Sequence, residues 1–275
     1  MDTLSLQTPQ GMATAALPPE RPSTFSDVLL SEWTKIRTLR STFFSLAAAV
    51  VIVIGMGTLI SYESGLHYTP AGWDPTTISL SALIVGQLAI AVLGVLSITG
   101  EYSTGMIRTT FAAVPRRGRL LAAKALVFTG VALVTGEILS WAAFAVGQAV
   151  MSGHAPTASL GQANVARAVF GAGLYVALIG LMAVAIGTLL RHTAGAIVSV
   201  VAILFVLPGL LNALPTSWRN PVEEYWPTNA GAQILKVTPG VGVHELSAGW
   251  GFGEFALFVA VLLGLAYWLL NRRDA

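Results

Sequence analysis

The chain has 275 residues, of which 55% are hydrophobic and only 10% charged, with a mean hydropathy of +0.73. A soluble domain carries about 25% charged residues, so this composition excludes an ordinary soluble globule and, more firmly, a disordered chain. The net charge is only +2, and with no cysteine there are no disulfides or thiolate metal sites.

Residues 1–23 are polar and contain Pro9, Pro18, Pro19 and Pro22. No basic start precedes an apolar core, so they read as a disordered cytoplasmic tail and not as a signal peptide. Residues 24–40 predict an amphipathic helix, with Ser26 as its cap and Asp27 at its positive end. On a 100° wheel Phe25, Val28, Leu29, Trp33, Ile36, Leu39 and Phe43 share one side, which Glu32 and Arg40 interrupt. Such a helix lies in the inner membrane interface, anchored by Trp33, Lys35, Arg37 and Arg40. The alternative is a plain extension of the span that follows.

A helix needs about 20 apolar residues to cross a bilayer. Six stretches qualify, at 41–62, 75–100, 120–150, 168–190, 193–214 and 255–270. None alternates as a β-barrel strand does. The expected fold is therefore an all-α polytopic membrane protein, with six transmembrane helices in a permease domain over 41–275. Lys124 stands near the start of the third span and Glu137 deep inside it. A charged acid at mid-bilayer costs about 2.5–3.5 kcal/mol, so Glu137 must face protein or water. Two roles stay open for it: a substrate-pathway contact, or a hydrogen bond to a neighbour such as Gln87 or Thr58. Gln87 and Gln148 read as interhelical hydrogen bonds, and Pro208-Gly209 predicts a kink near the outer end of span five.

Between spans two and three lies a basic loop, 100–119. Pro115 ends a short helix that Ser103 or Thr104 would start. Met106, Ile107, Thr110 and Phe111 then form an apolar knob beside Arg108, which suits either a partner's groove or the membrane surface. The long loop 215–253 carries Trp218, Tyr225, Trp226 and Trp250, placing it along the outer interface, with a short helix starting at Pro227.

Lys and Arg placement sets the orientation. Twelve of the fifteen basic residues fall before span one, in the second-to-third and fourth-to-fifth loops, or in the tail. The opposite loops hold only Arg167, Arg219 and Lys236, so both termini are expected in the cytoplasm. Since the basic residues track topology, they do not suggest a nucleic-acid partner.

Two segments carry a family resemblance. Ser-Glu-Trp-Thr-Lys-Ile-Arg-Thr-Leu-Arg-Ser-Thr (31–42) resembles the helix that precedes the first span of type-two ABC exporter permeases. Glu-Tyr-Ser-Thr-Gly-Met-Ile-Arg-Thr-Thr (101–110) and Pro-Arg-Arg-Gly-Arg-Leu-Leu-Ala-Ala-Lys (115–124) resemble that family's segment between spans two and three. Where the family commonly has Thr after the glycine, this chain has Met106. A Trp-Pro-Thr-Asn-Ala-Gly stretch (226–231) is similar to a Pro-Ser-Asn-Ala-Gly segment of related permeases.

The resemblance implies a coupling helix that docks on a separate ATP-binding cassette subunit. Glu101, Tyr102, Gly105, Met106, Ile107, Arg108, Thr110, Phe111, Arg116 and Arg117 would form that contact. It also implies a second permease copy, a plasma-membrane location, and export of a small or amphiphilic molecule. ATP and Mg would sit on the partner subunit, leaving no cofactor in this chain. Consistently, the sequence has no G-x-x-x-x-G-K-[ST], H-E-x-x-H or G-x-S-x-G, so no enzyme is expected. The competing reading is an ion-gradient-driven secondary transporter or channel, against which stands the lack of repeated halves.

Overall fold

A computed structural model describes residues 24–114, 116–238 and 246–272. The expected tail at 1–23, Pro115, and part of the loop 215–253 lie outside the described residues. Helix α1 (Phe25–Thr38) starts at Thr24, not Ser26: Thr24 and Asp27 form a reciprocal capping box. Leu39 is extended (φ −73°, ψ 129°), which separates α1 from the first span, α2 (Arg40–Leu66). The second span comprises α3 (Pro75–Leu80) and α4 (Ala82–Ser103). A short helix α5 (Met106–Ala113) precedes the long third span α6 (Arg117–Met151), and α7 (Val165–Leu190) is the fourth. The fifth runs through α8 (Thr193–Val201), a π segment at 202–206 and α9 (Leu207–Leu210). The connecting helices α10 (Thr216–Glu224) and α11 (Pro227–Ala232) lead to the sixth span, α12 (Ala248–Arg272). Among the described residues there is no strand, and six helical stretches are long and apolar enough to cross a membrane.

Helix α7 is the axis of the bundle. It packs on α4, α6, α8 and α12, and it is the most buried span, whereas α2 turns most of its surface outward. Small residues permit this. A Cβ at Gly94 of α4 would lie 2.6 Å from the Gly180 carbonyl of α7, and one at Gly136 of α6 would lie 2.7 Å from the Gly173 carbonyl. Polar side chains add specific ties. Ser140 donates to the Val169 carbonyl at 2.6 Å. Gln148 donates to Pro75 O and Ser79 Oγ and accepts from the Ala158 amide, so it is an interhelical link as expected.

At the end opposite the basic loop, Asp74 caps α3 and also accepts from Val237 and Thr238 of the long loop. The kink expected at Pro208 takes the form of the π segment just before it. There the Leu207 amide bonds to Ala202 O, five residues back, and Pro208 has no N–H to offer Ile203. The Trp226 indole supplies the missing donor, 3.0 Å from Ile203 O. Pro227 starts α11, as its fixed φ favours.

Candidate functional site

The basic end of the bundle brings α1, the end of α4, α5 and the start of α6 together. At its centre is a buried ion cluster. Lys124 of α6, 2% exposed, donates to Glu32 Oε2 at 2.5 Å, Glu101 Oε1 at 2.7 Å and Ser97 O at 2.9 Å. Lys35 of α1 reaches the same two acids, at 2.8 and 3.0 Å. Glu32, Glu101 and Lys124 therefore compensate each other away from water, where an unpaired charge would cost several kcal/mol, and the partly exposed Lys35 supplies the second ammonium. Burial pulls the Lys35 ammonium down, but the hydrogen bond and charge of Glu32, joined by Glu101, outweigh it and hold Lys35 above the ordinary lysine range.

This arrangement revises the expected face of α1. Its inward stripe is Val28, Glu32 and Ile36, one turn apart. Glu32 does not interrupt the buried face; it is that face's polar contact. Trp33 and Leu30 point away from the protein, at 46% and 65% exposure, while Arg37 and Arg40 are exposed. Trp33, Arg37 and Arg40 are thus exposed, whereas Lys35, expected as an anchor with them, faces the ion cluster.

Helix α5 begins neither at Ser103 nor at Thr104. Gly105 occupies its N-cap in the left-handed region (φ 72°), where a side chain is unfavourable. The turn aims Ile107 inward, where it is buried with Val28, Leu120 and Ala123, with Phe111 and Tyr102 packed at the edge. Phe111 also carries the Arg117 guanidinium 5.0 Å from its ring centroid. The apolar knob is therefore split. Ile107 and Phe111 bind α5 to its own chain, while Met106 (51% exposed), Arg108, Thr109 and Ala112 face outward. Thr110 bonds back to Met106 O, and Arg116 is exposed.

Arg191 was not singled out from the sequence. It ends α7 with φ 54° and stacks 5.4 Å over the Tyr102 ring, joining the turn between spans four and five to this assembly. Its signal was the basic residue in a two-residue turn.

Glu137 does not join the cluster. It lies half-buried on α6 against Gly173, where a Cβ would meet its carboxyl carbon at 2.5 Å. Gln87 and Thr58 do not reach it: Gln87 donates to Ile84 O and Thr58 to Ile54 O, each within its own helix.

Residues 28–209 match the family described as ABC-2 family transporter protein. The matched region runs from the inward face of α1 to α9 and includes the ion cluster and α5. No match to a curated protein was found.

Proposed function

The chain belongs to the ABC-2 family of transporter proteins and is a multi-pass membrane permease subunit; on that premise we propose that it exports a small or amphiphilic molecule, driven by a separate ATP-binding cassette subunit. The basic end faces the cytoplasm, where the positive-inside rule puts it, and α1 lies in the inner interface with Trp33, Arg37 and Arg40 outward. ATP and Mg are held by the partner subunit. A second permease copy completes the transport path, and Glu137 and Gln87 stand as candidates for contact with the transported molecule.

The observation that carries this reading is the mounting of α5. Its inner face is fixed by Ile107 and Phe111, and its outer face presents Met106, Arg108, Thr109 and Ala112 to solvent. A push on that face reaches α1 and α6 through the packing of Ile107 and reaches α4 directly, and the Glu101–Lys124 pair couples α4 to α6. A helix held rigidly on one side and bare on the other suits a lever gripped by a motor. Gly105 sets the angle at which α5 leaves α4, Tyr102 and Arg117 pack against it, Glu101 ties the end of α4 to α6, and Arg116 stands exposed beside it as a further candidate contact for the ATPase. The domains follow the same division: the tail at 1–23, the interfacial helix at 24–40 and the permease domain at 41–275.

Co-purification from the native membrane tests the proposal. Met106→Glu with Arg108→Glu should release an ATPase that the parent chain retains, at unchanged permease level. Ile107→Asp is the contrasting variant, since it should lower the permease level itself. Transport by the lone chain on a proton gradient, without ATP, would instead support the secondary-transporter reading and overturn this one.

A further inference from the structure

Beside the ion cluster, on the flank of the bundle, a groove of about 670 Å³ opens between the starts of α1 and α6 and the end of α12. Arg116 and Arg119 line it, both exposed, and among the described residues neither guanidinium makes a hydrogen bond or ion pair. Arg117 is committed elsewhere, donating to Leu270 O at 3.2 Å and so pinning α12 to α6. Phe25 and Tyr267 form the aromatic walls, and Asn271 adds a polar group. Gly118 leaves room for the Tyr267 ring, which a Cβ there would displace.

What lies beside the groove identifies the class of ligand. From Arg119 and Ala122 an exposed stripe climbs α6 at four-residue steps through Leu126, Gly130, Val134 and Ile138. From Asn271 and Tyr267 an exposed track of small residues climbs the same face of α12 through Gly264 and Ala260, and the exposed Leu257, Val261 and Leu265 lie farther round that helix. Both stripes belong to spans, so both face bilayer hydrocarbon. The groove is therefore a cationic, partly aromatic recess at headgroup depth, at the foot of two apolar tracks. A soluble protein partner would meet no use for those tracks, whereas a two-chain lipid uses the recess and the tracks together. Basic recesses between spans are suited to anionic headgroups, and guanidinium matches the geometry of a phosphate.

We propose that this groove binds an anionic phospholipid, with its phosphate between Arg116 and Arg119 and its acyl chains along α6 and α12. The site is independent of the transport reading: it needs neither ATP nor a second subunit.

The test is a lipid titration of the purified full chain in neutral detergent, read by native mass spectrometry. Phosphatidylglycerol should bind and phosphatidylcholine with the same acyl chains should not. Excess sn-glycerol 1-phosphate should fail to displace the lipid, which separates a lipid headgroup from a free phosphate. Arg116→Gln with Arg119→Gln should weaken phosphatidylglycerol binding about thirtyfold, at roughly fivefold per arginine near an anionic surface. The double lysine variant should keep most of the affinity. Ala122→Trp, at an exposed position, should block the groove with both arginines intact and carries the test if the glutamine variant fails to fold. Equal binding of the two lipids, displacement by glycerol phosphate, or unchanged affinity in the blocking variants would each overturn the proposal. So would blocking variants that retain the lipid but lose the ATPase, because the groove would then belong to that partner.

Discussion

Removing Lys124 should unfasten α1. The side chain is 2% exposed and contacts both Glu32 and Glu101 within 2.7 Å. Lys124→Met leaves two carboxylates sharing the single ammonium of Lys35, whose side chain is 26% exposed. Breaking a buried pair from one side costs about 3–5 kcal/mol; Lys35 offsets part of that, so about 3 kcal/mol applies. α1 leans on α6 and α5 and has little contact with α2, so the loss should appear as local opening of α1. At about 1.4 kcal/mol per tenfold, the open fraction rises roughly 150-fold. The chain has no cysteine, so Ile36→Cys, at a site 6% exposed, is a single reporter thiol. Maleimide labelling in that background should accelerate by the same factor. Adding Glu32→Gln to Lys124→Met restores neutrality, leaving the Glu101–Lys35 pair at 3.0 Å, and should bring labelling back to within about tenfold of the parent. Parental labelling in the single variant, or no recovery in the double, would refute the reasoning.

Gly94→Val places a branched side chain where even a Cβ comes within 2.6 Å of the Gly180 carbonyl; the crossing of α4 and α7 should loosen by about 1–3 kcal/mol, seen as a lower melting temperature in detergent. Trp226→Phe removes the donor to Ile203 O and should cost about 1–3 kcal/mol, with faster amide exchange confined to α9 to α11. Lys35 lies above its ordinary 10.5, so its contribution is complete below that value and is lost as pH rises through the folded one. Trp33 fluorescence should therefore stay flat through mildly alkaline pH, and a change by about pH 9 would contradict the assignment. Glu137→Gln and Glu137→Ala should lower transport at normal protein level; unchanged transport in both removes Glu137 from the pathway.

The six spans were legible because lipid leaves the backbone no other partner, so apolar length alone reads as helix. The short helix at 227 was legible because proline fixes its first turn. The ion cluster was visible only in fragments. Glu32 looked like a fault in an apolar stripe and Lys124 like a stray charge at a span's edge, 92 residues apart. Two opposite charges, each misplaced on its own helix, were a hint that they meet, but helical periodicity carries no information on which faces pair. The same limit hid the split of α5. An apolar knob at spacings of one, three and four looks the same whether it serves a partner or its own chain, and only the packing of Val28 and Leu120 around Ile107 decides.

The cluster holding α1 contains two acids and two bases, so it has no net charge. Each unpaired elementary charge carried across a membrane potential exchanges about 2.3 kcal/mol with it per 100 mV. A neutral clasp at the membrane's edge exchanges almost none. Displacement of α1, in which Asp27, Glu32, Lys35 and Arg37 also balance, would therefore do negligible electrical work, and a cell whose membrane voltage collapses would neither spring this latch nor jam it.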